Sequence, residues 1–171
     1  MKEPVNVAEY AQLICEALPR GALLNTQHEK FDSMVIGWGH LGTLWSRPTF
    51  VVYVRDSRFT KQQLDAVGEF TVSFPLGAPD PLITRVCGTL SGRDTDKLAL
   101  ARLTAEPADT VKVPGVREYP LTLECKVLYA QRQDPSLLPE EIREKYYPAD
   151  ENGPDAHTAY VGLITAAYVI R

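Results

Sequence analysis

The chain has 171 residues, 44% of them hydrophobic, and a net charge of −4 at pH 7, so we expect one folded domain over residues 1–171. The negative charge argues against double-stranded nucleic acid as a partner, and the apolar runs are too short to span a membrane. The three cysteines lack paired spacing, and the N-terminus lacks an apolar signal segment. These features argue against disulfides and a metal site and favour the cytoplasm.

The first part of the chain predicts one helix followed by strands. Residues 4–18 place their apolar side chains on one helical stripe, and Pro19 ends the helix. Strands are then predicted at residues 22–25, 33–38 and 49–55. The third of these consists largely of β-forming side chains, so we expect it to be buried on both faces.

The middle of the chain alternates between short helices and strands. A helix is predicted over residues 61–67, because Thr60 can cap it and Gln63 can complete a capping box. The other elements predicted here are strands at 70–74 and 84–90 and a helix at 95–103 that begins at Asp94.

The last part of the chain contains the two most regular strand patterns. Residues 121–129 alternate between apolar and polar side chains, which predicts a half-buried strand. Residues 158–170 form a long apolar run, which predicts a central strand that completes the sheet. Loops at 105–120 and 149–156 and a helix at 139–147 account for the remainder. Without a regular βαβ alternation, the pattern favours a mainly β fold with short helices, an antiparallel barrel and not a doubly wound sheet.

Residues 37–42 match the G-x-G-x-x-G pattern of dinucleotide-binding domains and follow a predicted strand. That pattern requires a helix to begin at the glycines, but Pro48 and a β-rich run follow almost at once. A dinucleotide-binding domain is therefore not expected. The glycines either let a flat ligand contact the backbone or belong to an ordinary Gly-rich hairpin, and both interpretations stay open.

The loop after the third predicted strand concentrates hydrogen-bond donors at Arg55, Ser57, Arg58 and Thr60. Guanidinium groups and hydroxyls suit a phosphate, and the start of the predicted helix adds free backbone N–H groups. A flat ring near the glycines with a phosphate in this loop would describe flavin mononucleotide (FMN). The alternative is a surface loop whose arginines pair with nearby acids such as Asp56.

A second cluster, residues 91–97, combines Ser91, Gly92 and Lys97 where a predicted strand enters a helix. Lys97 would reach a ring oxygen or a phosphate, and a cation there would stabilise a reduced flavin. The isolated His157 is either a structural group or a functional one. Because the sequence contains no other recognisable catalytic pattern, we expect a cofactor to carry the chemistry.

Four stretches together resemble the flavin reductase-like family of FMN-binding split barrels. They are residues 34–60, 68–75, 87–97 and 157–168, and the resemblance extends over about residues 10–170. It implies a Greek-key split barrel, a homodimer and FMN bound near the subunit interface.

The resemblance also implies roles for individual residues. At one position this chain departs from many members of the family, because Asp32 stands where they have Asn. An acid there would repel electrons arriving on the ring unless it is neutralised or points away. By position, Arg55, Ser57, Arg58 and Thr60 would hold the phosphate and ribityl chain; Ser33, Met34, Trp38 and Gly39 would line the ring; Ser91, Gly92 and Lys97 would lie beside the cofactor; and His157 would be a catalytic residue near its exposed face.

Three functions follow as hypotheses. The first is an FMN-dependent oxidoreductase that takes electrons from NADH or NADPH and passes them to a flavin, a metal complex or a protein. The second is a flavin-binding electron carrier without a nicotinamide site of its own. The third is a small-molecule binding barrel without redox activity.

Overall fold

The computed structural model describes residues 1–171 and consists mainly of antiparallel strands with short helices. The strands are β1 (Lys2–Pro4), β2 (Ala22–Gln27), β3 (Phe31–Ile36), β4 (Gly39–Leu44), β5 (Arg47–Arg55), β6 (Glu69–Phe74), β7 (Ala105–Glu106), β8 (Gly115–Val116), β9 (Leu121–Arg132), β10 (Ala149–Asp150), β11 (Gly153–Pro154) and β12 (His157–Ile170). The helices are α1 (Ala11–Ala17), α2 (Phe59–Val67), α3 (Pro81–Thr89), α4 (Lys97–Leu100) and α5 (Glu140–Tyr146), and 3-10 turns lie at Val7–Tyr10, Leu18–Arg20 and Pro135–Leu137.

Seven strands form one antiparallel sheet in the order β3-β2-β6-β9-β12-β5-β4, and β1 is added against the end of β12. The long strand β12 pairs with β5 through its first half and with β9 along most of its length. This confirms the predicted central strand. No helix in the fold combines the length and apolarity needed to cross a lipid bilayer.

The sheet curls around its core into a split barrel. Strands β3 and β4 lie at opposite ends of the hydrogen-bonded order, yet only Gly37 and Trp38 separate them in the chain. In addition, the rings of Phe50 on β5 and Phe74 on β6 are 5.7 Å apart, although two strands lie between them in the sheet. The buried side chains of β2, β3, β5, β6, β9 and β12 therefore meet in one apolar core.

Helix α1 covers one opening of this core. Ile14 and Ala17 are buried among side chains of the sheet, because they lie on the apolar stripe that predicted the helix. The continuous helix predicted over 4–18 is shorter, however, since 3-10 turns replace its first and last parts.

The strand predicted at residues 84–90 does not form, because residues 84–89 belong to helix α3 and Leu90 ends it. Asp80 caps this helix by accepting hydrogen bonds from the N–H groups of Leu82 and Ile83, and Pro81 occupies its first position. Both are helix-start signals that outweigh the β-branched composition of the run. The helix predicted at 95–103 is also shorter, because α4 begins after Asp96, which caps it in place of Asp94.

Burial differs from the prediction in two strands. In β5, Phe50, Val52 and Val54 are buried, but Val51 and Tyr53 remain partly exposed, so only one face is buried. In β9, by contrast, all residues from Leu121 to Cys125 are buried. The reason is that the preceding loop folds over the outer face, where the Glu124 carboxylate accepts hydrogen bonds from the backbone N–H groups of Asp109 and Thr110.

The glycine-rich stretch 37–42 forms the β3–β4 connection and most of β4, and no helix follows it. Strands β4 and β5 form a hairpin whose turn residues, Trp45 and Ser46, both have positive φ angles. At Gly39 an added Cβ would lie 2.8 Å from the carbonyl oxygen of Val51. That glycine is therefore explained by close packing of β4 on β5.

Candidate functional site

Two clefts meet at the end of β3 and share Met34, Val35 and Arg58. The first, of about 180 Å³, also contains Trp38, Tyr53, Arg55 and His157, and we call it the aromatic cleft. The second, of about 170 Å³, lies among β3, the loop before α2 and the α3–α4 connection. We call it the cationic cleft, and its polar and charged lining residues are Asp32, Ser57, Arg58, Thr60, Ser91, Arg93 and Lys97.

The aromatic cleft is bordered by rings that hold one another in place. Trp38 follows β3 and is 42% exposed. Its indole meets Tyr146 edge-on, with ring centroids 5.4 Å apart, and tilts against His157 at 4.9 Å. Tyr146 comes from α5 and His157 from β12. Three separate parts of the chain therefore form an accessible, ring-lined surface next to the backbone of β3.

His157 is the first residue of β12 and is only 6% exposed. Burial and the nearby Arg55 guanidinium lower the pKa of this imidazole to about 4. Its Nδ1 lies 2.9 Å from the Tyr147 hydroxyl, which itself donates to Gln133 Oε1 at 3.0 Å, so Nδ1 carries the proton of the first contact. His157 is thus neutral at pH 7 and lies in the wall of the aromatic cleft.

Arg55 and Ser57, two of the predicted phosphate contacts, already bind the segment before β12. The guanidinium of Arg55 donates to the carbonyl oxygens of Asp155 at 2.7 Å and Tyr146 at 2.9 Å. The Asp155 carboxylate accepts hydrogen bonds from the backbone N–H of Ser57 at 3.1 Å and from its hydroxyl at 2.7 Å. These contacts hold the segment against the loop that follows β5.

Arg58 has no such partner: its side chain makes neither a hydrogen bond nor an ion pair and lines both clefts. Across the cationic cleft, the guanidinium of Arg93 lies 5.8 Å from the centre of the Phe59 ring and also lacks an acidic partner. The sequence analysis did not select Arg93, although it lies within the polar stretch 91–97. Two uncompensated guanidinium groups therefore face one cleft, an arrangement suited to a phosphate.

Asp32 connects several of the predicted ligand-binding residues beneath the cationic cleft. Its Oδ2 accepts a hydrogen bond from the Thr60 hydroxyl at 2.9 Å, and its Oδ1 lies 3.0 Å from Lys97 Nζ. The Lys97 ammonium donates its hydrogen bond to the Ser33 carbonyl oxygen at 2.9 Å. Because Thr60 points to Asp32, it does not cap α2; Arg58 is the residue before that helix, so the predicted capping box is wrong.

Gly92 is required where Asp32 meets the α3–α4 connection. A Cβ at this position would overlap the Asp32 carboxylate, so only glycine lets the backbone approach the Asp32 side chain this closely. The stretch 91–97 thus connects two helices, not a strand and a helix as predicted. Ser91 lies at the rim, where its Oγ accepts a hydrogen bond from the backbone N–H of Arg93.

Ten of the twelve predicted site residues line the two clefts. Ser33 and Gly39 do not: the Ser33 side chain donates to Asn25 Oδ1 at 2.8 Å inside the fold, and Gly39 packs against β5. The predicted residues that the structure brings together are Met34, Trp38, Arg55 and His157 in the aromatic cleft and Ser57, Arg58, Thr60, Ser91, Gly92 and Lys97 in the cationic cleft.

The joined clefts fit a flat ring with an anionic tail. Rings and apolar side chains surround one end, and free guanidinium groups surround the other. Asp32 Oδ1 is also a buried oxygen without a hydrogen-bond donor, although the Lys97 ammonium lies beside it. The sequence analysis missed Tyr146, Tyr147 and Asp155, because nothing in the local pattern at 139–156 shows that this segment folds back onto β5.

Comparisons with known proteins agree with this description. A family model described as "flavin reductase like domain" matches residues 21–171. An uncharacterized protein from Archaeoglobus fulgidus is 31% identical over 128 residues, which are 74% of this chain and 67% of that protein. Among solved structures, flavoredoxin from Methanosarcina acetivorans is similar with a TM-score of 0.64 and 24% identity, over 89% of this chain and 69% of that one. The FMN-binding domain of a flavin reductases-like enzyme from Shewanella baltica gives a TM-score of 0.67 at 16% identity, over 99% of this chain and 77% of that one.

Proposed function

This chain belongs to the family of flavin reductase-like domains, and on that basis we propose that it is an FMN-dependent oxidoreductase. It takes electrons from NADH or NADPH and passes them through bound FMN to a flavin, a metal complex or a protein. The observation that carries the proposal is the continuity of the aromatic and cationic clefts through Met34, Val35 and Arg58. One opening thus accepts a flat ring and a phosphate together.

The residues divide between the two ends of the ligand. Trp38, Met34 and Tyr53 line the ring end and exclude water from one face of it, while Arg58 and Arg93 hold the phosphate by charge-assisted hydrogen bonds. Arg55 and Ser57 act indirectly on the ligand, because they hold in place the segment that carries Tyr146 and Asp155.

When bound, FMN supplies the electron-transfer chemistry, and the protein supplies orientation and electrostatics. His157 contributes a neutral imidazole to the ring end at pH 7, because its pKa is lowered to about 4 by burial and by Arg55. It therefore adds no charge next to the ring. Trp38, held by Tyr146 and His157, leaves its outer face open to a reaction partner.

The deciding experiment is an anaerobic titration of the purified protein after loading with FMN. Bleaching of the 450 nm region on adding NADH or NADPH, and recovery on adding an acceptor, is the expected result. If neither nucleotide reduces the flavin while dithionite does, the second candidate applies: an electron carrier without its own nicotinamide site. The similarity to flavoredoxin favours that candidate. If the protein does not retain FMN and gains no thermal stability from it, both fail.

The proposal includes a homodimer. Strand β4 is an edge of the sheet, and its hairpin exposes Leu44 and Trp45, the latter by 57%. An exposed edge with large apolar side chains favours association, and Trp38 immediately precedes the same strand. Sedimentation equilibrium of the FMN-loaded protein should give twice the 19.0 kDa chain mass; a monomer at micromolar concentration would remove this part of the proposal.

A further inference from the structure

Asp32 and Lys97 form a buried ion pair beneath the cationic cleft. Their side chains are 1% and 4% exposed, and Lys97 Nζ lies 3.0 Å from Asp32 Oδ1. Neither side chain forms an ion pair with any other residue. Both line the cleft that also contains Arg58 and Arg93. The lysine therefore adds no net charge to this cleft, although counting cations in the sequence suggests that it does.

The pair is held in position on all sides. Lys97 donates to the Ser33 carbonyl oxygen, the Thr60 hydroxyl donates to Asp32 Oδ2, and the backbone of Gly92 packs against Asp32. Moving the ammonium toward a ligand would break its hydrogen bond and leave a carboxylate uncompensated in a buried place, which is unfavourable. Lys97 therefore stays paired when a ligand occupies the cleft.

We propose that Asp32 sets the anion affinity of the cationic cleft by neutralising Lys97, so that Arg58 and Arg93, and not Lys97, hold the phosphate of a bound flavin nucleotide. The inference rests on the proposed function and makes Asp32 a residue that determines ligand specificity. Charge interactions are strong in such partly desolvated sites. Removing the carboxylate alone should therefore tighten binding of a phosphate-bearing flavin and leave binding of uncharged riboflavin unchanged.

A double-mutant cycle tests this with FMN and riboflavin as probes and quenching of flavin fluorescence as the readout, at low ionic strength. Relative to the unmodified protein, Asp32→Asn should bind FMN at least tenfold more tightly. Lys97→Gln should bind it at least tenfold more weakly, because the carboxylate is then uncompensated. The dissociation constant of the double variant for FMN should be within threefold of that of the unmodified protein. For riboflavin, the dissociation constants of all four proteins should agree within threefold.

Glu9→Gln is a control for the charge change in Asp32→Asn, because Glu9 is exposed and lies outside both clefts. It should leave both dissociation constants unchanged. If Asp32→Asn does not fold by circular dichroism, the comparison of Lys97→Gln with the double variant decides, since the double variant, like the unmodified protein, has no net charge at this buried pair.

Two outcomes would overturn the inference. If the double variant binds FMN as weakly as Lys97→Gln, Lys97 itself holds the phosphate. If Asp32→Asn folds and binds FMN no more tightly, the carboxylate does not control the cleft. Failure of the unmodified protein to bind either flavin would instead refute the proposed function. Equal binding of FMN and riboflavin would refute phosphate recognition in this cleft and leave flavin binding intact.

Discussion

The two clefts differ in what holds their charged side chains: Arg55 in the aromatic cleft is bound to distant backbone carbonyl groups, whereas Asp32 and Lys97 in the cationic cleft are bound to each other and to residues closer in the sequence. Arg55 reaches carbonyl groups 91 and 100 residues away. In the cationic cleft, Thr60 reaches Asp32 across 28 residues and Lys97 reaches Ser33 across 64.

The comparison shows that donors of the same chemical type have different roles. Arg55 and Arg58 are three residues apart and equally cationic, but the first is bound to backbone carbonyls and the second has no partner. A guanidinium that is already bound within the fold has fewer N–H groups left for a ligand and less freedom to turn toward it. The following predictions test this difference, from the largest expected effect to the smallest.

Charge reversal should separate the two arginines most strongly. Arg58→Glu should lower FMN affinity at least a thousandfold, about 4 kcal/mol, because the guanidinium that we propose to face the phosphate becomes a repelling carboxylate. The protein should remain folded, since the Arg58 side chain makes neither a hydrogen bond nor an ion pair and lines the clefts. Fluorescence titration measures the affinity, with Arg20→Glu, an exposed site outside both clefts, as the matched control. Unchanged FMN binding by Arg58→Glu would place the phosphate elsewhere.

Gly92→Ala should disturb the cationic cleft at the contact between Gly92 and Asp32. The new methyl group would overlap the Asp32 carboxylate, so the ion pair or the α3–α4 connection must move, at a cost of about 3 kcal/mol in the free energy of unfolding. Gly42→Ala is the control, because nothing lies within 4 Å of the added atom. Urea unfolding measures both, and equal stabilities would show that the contact between Gly92 and Asp32 relaxes easily.

The pH dependence of stability should reveal the protonation of His157 in the aromatic cleft. The pKa of His157 is about 4 in the folded protein and about 6.5 in an unfolded chain, so the unfolded state binds the proton first as pH falls. The stability that depends on a neutral, buried His157 is fully present above pH 6.5. As pH falls from 6.5 toward 4, the free energy of unfolding decreases by roughly 2–3 kcal/mol. Urea unfolding at several pH values measures it. His157→Gln should flatten the profile over this interval, and an unaltered slope in that variant would assign the effect to other groups.

Asp155→Asn should have the smallest effect. The amide loses the charge-assisted contact with Ser57 but keeps the backbone carbonyl that Arg55 binds, so stability should fall by about 1 kcal/mol. FMN affinity should change less than threefold, since we propose that Arg58 and Arg93 hold the phosphate. Thermal unfolding and flavin titration measure the two quantities; a large gain in FMN affinity would mean that Asp155 competes with the phosphate for Ser57.

The sequence predicted the fold class correctly because its strand segments are rich in β-forming residues and end at turns that contain glycine and proline. It failed at 84–90, where composition suggested a strand but Asp80 and Pro81 start a helix. It also misjudged burial in β5 and β9, because the loop that covers Glu124 is recognisable only after folding.

For the candidate site, the local sequence was sufficient to select the segments: the end of β3, the loop after β5 and the stretch 91–97. It could not show which members of each segment are available to a ligand. Arg93 was overlooked and Lys97 was counted as a free cation, since the pairing of Lys97 with Asp32 is a contact between segments.

By itself, then, the sequence determined that this is a curled antiparallel sheet with cations and glycines at its strand ends, because strand periodicity and turn chemistry are local properties. Only the tertiary structure decided which charges remain uncompensated. A side chain's partners across 28 to 100 residues depend on how the sheet closes on itself, and the same closure buries Asp32 beside Lys97 and leaves Arg58 and Arg93 facing the cleft.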